Sequence, residues 1–128
     1  MPGRIVPLVN GEVYHIFNRG SDKRKIFLKN RDIIRFRQTF HYYQTTGPKT
    51  KFSNFSKQNL NIFKPKLEDK LVDILCYCLM PNHFHFLLRQ LKDNGIAIFM
   101  SQISNSYTKF FNTKYKRVGR LFQDVYKA

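Results

Sequence analysis

The sequence predicts an α+β fold, an antiparallel sheet carrying two helices on one face, from three observations. Two stretches repeat apolar residues at helical spacing, one from Ile33 to Tyr43 and one from Ile96 to Phe111. Between them, two apolar segments flank Pro81-Asn82, a pair of residues suited to a tight turn. A third alternating segment precedes the first helical stretch. At 128 residues, 42% hydrophobic, with 13 Phe and 7 Tyr, the chain is one domain's worth and can bury a substantial core.

The first strand is expected over residues 12–18, where Val13, His15 and Phe17 share one face and Tyr14, Ile16 and Asn18 the other. Arg19-Gly20-Ser21-Asp22 ends it. Asn30 or Asp32 can cap the first helix, whose stripe is Ile33, Phe36, Phe40 and Tyr43, and Thr46-Gly47-Pro48 stops it. Arg31, Arg35 and Arg37 lie off that stripe, where solvation is the simplest reading and phosphate contact the sharper one. Residues 47–70 lose periodicity and read as a basic loop insertion, with Phe52, Phe55 and Phe63 scattered among Lys, Ser, Asn and Gln. Interleaved basic and aromatic residues suit single-stranded nucleic acid, though an ordinary insertion has the same composition.

A hairpin follows, with strands expected over residues 71–79 and 83–89. Asp93-Asn94-Gly95 then opens the second helix, striped by Ile96, Met100, Ile103, Tyr107, Phe110 and Phe111 to about Lys114, which places Tyr107 in the core. Residues 120–127 are expected to form a last strand. The order strand, helix, strand, strand, helix, strand is that of a ferredoxin-like split βαβ unit, whose second sheet face is left free.

Lys and Arg number 23 against 8 Asp and Glu, a net charge of +15. Such a charge costs self-repulsion and is understandable if the partner is a polyanion, nucleic acid first. The basic candidates for contact with it are Arg4, Arg19, Lys23, Arg24, Lys116, Arg117 and Arg120. No apolar run approaches the ~20 residues that span a bilayer, and Met1-Pro2-Gly3-Arg4 does not begin a secretory signal, so a cytoplasmic protein without a membrane partner is expected. Cys76 and Cys78, two apart in an apolar strand, are expected as buried, reduced thiols sharing a face, and without a second Cys pair a zinc site is not expected.

His83 and His85 also share a face, about 7 Å apart along their strand, close enough to converge on a metal. Taken by spacing alone, two half-exposed histidines with ordinary hydrogen bonds are the commoner outcome. His15 is open between a satisfied core histidine and a neighbour of the metal.

The run Met80-Pro81-Asn82-His83-Phe84-His85-Phe86-Leu87-Leu88 resembles the histidine-hydrophobic-histidine motif of the HUH single-strand endonucleases, in particular the IS200-like, REP-associated tyrosine transposases. Met1 to Val6, Val13 to Gly20, Ser106 to Tyr115, Gly119 to Gln123 and Tyr126-Lys127-Ala128 resemble the same family, so the likeness spans nearly the whole chain outside residues 47–70. The resemblance implies nicking and strand transfer on single-stranded or hairpin DNA during transposition. A tyrosine hydroxyl attacks a phosphodiester, a 5′-phosphotyrosyl link forms and a 3′-OH leaves, while Mg²⁺ or Mn²⁺ held by the two histidines polarises the phosphate.

One departure stands out. The family's nucleophilic tyrosine, with a third polar ligand beside it, lies on a helix after the strand ending Tyr-Lys-Ala, and no residue here matches it. The expectation is therefore a single transposase-type domain over residues 1–128, C-terminally incomplete and inactive alone. The alternative is a catalytically inactive single-stranded or hairpin DNA-binding module.

Overall fold

The computed structural model describes residues 7–45 and 70–128. Its elements are β1 (Val13–Arg19), a 3-10 turn (Ser21–Lys23), α1 (Asn30–Tyr42), β2 (Val72–Met80), β3 (His83–Gln90) and α2 (Gly95–Lys114). The strands form one antiparallel sheet in the order β1-β3-β2. This is the expected α+β architecture, with α1 and α2 packed against the same face.

Alternation along β3 sorts its side chains. Phe84, Phe86, Leu88 and Gln90 are buried, whereas His83, His85, Leu87 and Arg89 are half-buried on the other side. Beneath the first set lies the core: Ile16 from β1, Phe36 and Phe40 from α1, and Phe99, Met100, Ile103 and Tyr107 from α2, all fully buried. Phe36 touches Phe40, Phe84, Phe86 and Tyr107, so one ring ties both helices to the sheet. Arg35, expected to face solvent or phosphate, instead lies over the Phe110 ring at 4.7 Å and packs α1 against α2.

Asp32, at the start of α1, is fully buried. Its carboxylate accepts the Leu28 and Lys29 backbone N–H groups at 3.0 and 3.1 Å, satisfying donors at the helix entry. From the end of α2 it receives Lys114 Nζ and the Tyr115 hydroxyl, both at 2.6 Å. Burial by itself raises this carboxyl, but the bonds from Lys114, Tyr115, Leu28 and Lys29 outweigh it and hold the group below its ordinary value.

Two expectations need correction. Cys76 and Cys78 are free but exposed. A bulge between Ile74 and Cys76 is the cause: Ile74 pairs with Leu88 and Cys76 with Leu87, so Leu75 is the extra residue. Strict alternation would have put both cysteines on Ile74's face. The bulge reverses the parity, and Tyr77 now packs on Phe40 of α1 while Cys76, Cys78 and Met80 take the open face.

The last strand is the second. Residues 120–127 run beside β1 but meet it only at two isolated bridges, Gly20 with Phe122 and Phe17 with Lys127. Between those bridges the side chain of buried Asn18 donates to the carbonyls of Asp124, at 2.7 Å, and Val125, at 3.3 Å. A side-chain amide thus takes carbonyls that a regular ladder would pair, and the segment bends. Its place at the β1 edge is nevertheless that of the fourth strand of a split βαβ sheet. The 47–70 insertion lies outside the described residues apart from Lys70, which bridges to Thr45.

Candidate functional site

The open sheet face gathers polar groups around the β2–β3 hairpin. Backbone bonds hold its tip: Pro81 O accepts the Ile26 N–H at 2.8 Å and the Phe27 N–H at 3.2 Å, and Asn82 O accepts the Gly20 N–H at 3.0 Å. Gly20 has no substitute here, because a Cβ would lie 2.2 Å from the Arg24 carbonyl oxygen.

This clamp places His83 and His85 at the start of β3. The register sets Arg19 across from His83 and Phe17 across from His85 on one side, with Met80 and Cys78 across from the same two histidines on the other. His83 Nδ1 bonds Asn82 Oδ1 at 2.7 Å. His85 Nδ1 shares a 2.8 Å hydrogen bond with His15 Nε2, the two rings stacking at 5.0 Å. His15 is therefore exposed and bonded to the pair rather than buried in the core. Burial, then the neighbouring His15 and His83, lowers the His85 pKa and favours its neutral imidazole.

An open cleft of about 470 Å³ adjoins the pair, lined by Phe17, Asn18, Arg19, Lys23, Asn82, His83, His85, Asp124 and Lys127. Of the expected basic contacts, Arg19 and Lys23 reach it. Burial, then the charge of Arg24, lowers the Arg117 pKa. Arg117 also bonds Asn112 and the Arg120 carbonyl, while the Arg120 guanidinium turns back onto the Gln123 carbonyl. Lys116 is exposed on the turn after α2. Arg4 lies outside the described residues.

Lys127, Asp124 and Asn82 were not singled out from the sequence as site residues. Lys127 and Asp124 arrive only because the C-terminal segment lies along β1, with their side chains 3.8 Å apart. Asn82 was legible as a turn residue, but its side-chain amide oxygen also fixes the His83 ring.

The histidine pair suits a metal ion in one respect. Each Nδ1 is engaged by a protein partner, which orients the ring and, with His85 Nδ1 donating, leaves both Nε2 lone pairs free. Among the described residues no group of three or more His, Cys, Asp and Glu is arranged to hold a metal, so these residues bring two imidazoles and no third such ligand to the pair.

All seven tyrosines of the chain fall within the described residues, and none lines the cleft. Tyr107 is fully buried and its hydroxyl donates to the Ile26 carbonyl. Burial, then Asp32 and Tyr115, pushes its pKa far above the ordinary value. Tyr115 is held by Asp32, Tyr14 accepts the Val9 N–H, Tyr77 packs on Phe40, and Tyr42, Tyr43 and Tyr126 are buried. No helix of the described residues is long and apolar enough to cross a membrane.

A family model described as Transposase IS200 like matches residues 9–128 of the chain. No curated protein matches it.

Proposed function

Because the chain belongs to the IS200-like transposase family, we propose that this transposase-type protein binds single-stranded or hairpin DNA, with a backbone phosphate seated between His83, His85 and the basic wall of the cleft. The observation that carries this reading is that His83, His85, Arg19, Lys23 and Lys127 line one open cleft. Arginine and lysine neutralise phosphate without reading sequence. Phe17, stacked with His15 and near His85, offers a ring face on which an unpaired base can stack.

His83 and His85, whose ring centroids lie 5.1 Å apart, would hold Mg²⁺ or Mn²⁺, which when bound would supply positive charge against the phosphoryl oxygens. Two imidazoles alone are a poor home for hard cations, so water and DNA phosphate have to complete the coordination. Mn²⁺ is therefore expected to bind the free protein weakly and at least tenfold more tightly with a hairpin oligonucleotide present. His83→Ala with His85→Ala should remove that gain while the melting temperature stays within a few degrees, since both side chains are on the open face. Unchanged Mn²⁺ affinity in the double variant, measured by calorimetry, would refute the site.

The tyrosines favour a second reading, a DNA-binding module that does not cut by itself. In-line attack requires the hydroxyl about 3–3.5 Å from phosphorus, and effective molarities of ~10⁵ M or more are lost without that alignment. Incubation with a single-stranded hairpin and Mn²⁺ is expected to give no covalent protein–DNA band on a denaturing gel. A robust band removed by Tyr107→Phe, Tyr115→Phe or Tyr126→Phe would instead place the nucleophile within this chain.

A further inference from the structure

The turn that follows β1 holds a lysine where its backbone favours glycine. Asp22 and Lys23 have φ of +54° and +58°, and the Arg24 N–H closes the turn on the Ser21 carbonyl at 3.0 Å. Two consecutive left-handed residues are the pattern that Asp-Gly adopts without strain, so Asp22 suits its place and Lys23 does not. Lys23 is exposed, so burial in the core does not account for it. What the conformation accomplishes is placement, because Lys23 lines the cleft beside His83 and His85. Asn82 joins the two parts: its Nδ2 reaches the Lys23 carbonyl at 3.5 Å and its Oδ1 the His83 ring at 2.7 Å.

The other two cations of the cleft are engaged. Arg19 Nε donates to Gln123 Oε1 at 2.5 Å, and Lys127 Nζ stands 3.8 Å from the Asp124 carboxylate. Among the described residues, Lys23 alone of the three has no side-chain partner. An ammonium held without an anion beside two imidazoles is complementary to a phosphate arriving from outside.

We propose that Lys23 is the positioning residue that fixes one backbone phosphate of bound DNA against His83 and His85, and that the left-handed turn is kept, at a cost in stability, to present it. This assignment rests on the DNA-binding reading of the cleft. It separates Lys23 from the remaining basic residues, which neutralise phosphates without selecting one. A charge-assisted bond to a single fixed phosphate contributes more than diffuse neutralisation does.

The test is binding of a single-stranded hairpin oligonucleotide to the full chain, without metal, by fluorescence anisotropy. Lys23→Asn removes the charge but keeps a side chain that tolerates the left-handed turn, and it should weaken binding about tenfold. A scan of single methylphosphonates along the hairpin should find one position whose neutralisation weakens the parent about tenfold and Lys23→Asn less than about twofold, the non-additivity expected of a contacting pair. Lys23→Gly should melt about 2–4 °C above the parent, because the strain is gone. The assignment is overturned if Lys23→Asn binds as the parent does, if no phosphate is coupled to Lys23, or if Lys23→Gly melts below the parent. In each of those cases the DNA-binding reading stands as long as the parent binds the hairpin, whereas a parent that binds no hairpin defeats both.

Discussion

Replacing Asp32 by alanine is expected to destabilise the domain by about 3 kcal/mol, against a total of roughly 5–15 kcal/mol for a domain of this kind. The change strands four donors at once: the Leu28 and Lys29 N–H groups, the Tyr115 hydroxyl and Lys114 Nζ. Buried pairs broken on one side typically lose about 3–5 kcal/mol, and the lower end applies because the Lys114 side chain keeps 28% exposure and regains water. Since the folded carboxyl titrates below its ordinary value of 3.8, its contribution is present above that pH and is lost as pH falls through the folded value. Urea melts of the parent protein should therefore show a loss of stability below about pH 4 that Asp32→Asn lacks. Identical acid profiles for parent and variant would place the acid sensitivity elsewhere.

Single-stranded DNA should bind roughly 300-fold more weakly at 200 mM salt than at 50 mM, if Arg19, Lys23, Arg24, Lys116, Arg117 and Lys127 each neutralise one phosphate. Each such contact on a single strand contributes about −0.7 to the slope of log K against log salt, giving about −4 for the six. Arg19→Ala with Lys127→Ala, removing two cations that line the cleft, should flatten that slope by about 1.4. Fluorescence anisotropy over the salt series measures both. A flat dependence would remove the electrostatic basis of the proposed interface, and an unchanged slope in the double variant would move the interface away from the cleft.

Local patterns carried most of the fold because they depend on few residues. The Phe36 and Phe40 stripe, the Ile96 to Phe111 stripe and the Pro81-Asn82 turn each state their periodicity within one segment, and the helices and hairpin formed where those patterns lie. The misses share a different cause. One extra residue in β2 reversed the facing of Cys76 and Cys78, and nothing in Ile74-Leu75-Cys76-Tyr77 marks the bulge, since both registers present apolar side chains. Asn18 has the alternation of a strand residue, yet its amide reaches chain more than a hundred positions away and bends the segment that was expected to be a strand.

By itself the sequence determined the helix stripes, the hairpin, the shared face of His83 and His85, and a polyanionic partner, because periodicity and charge are properties of neighbours along the chain. Tertiary structure alone decided that His15 would bond His85, that Lys127 and Asp124 would wall the cleft, and that Arg35 would serve packing. Those outcomes depend on register and on which segment lies along the β1 edge. They are contacts between residues distant in sequence, selected by the packing of the whole sheet rather than by the composition of any one strand.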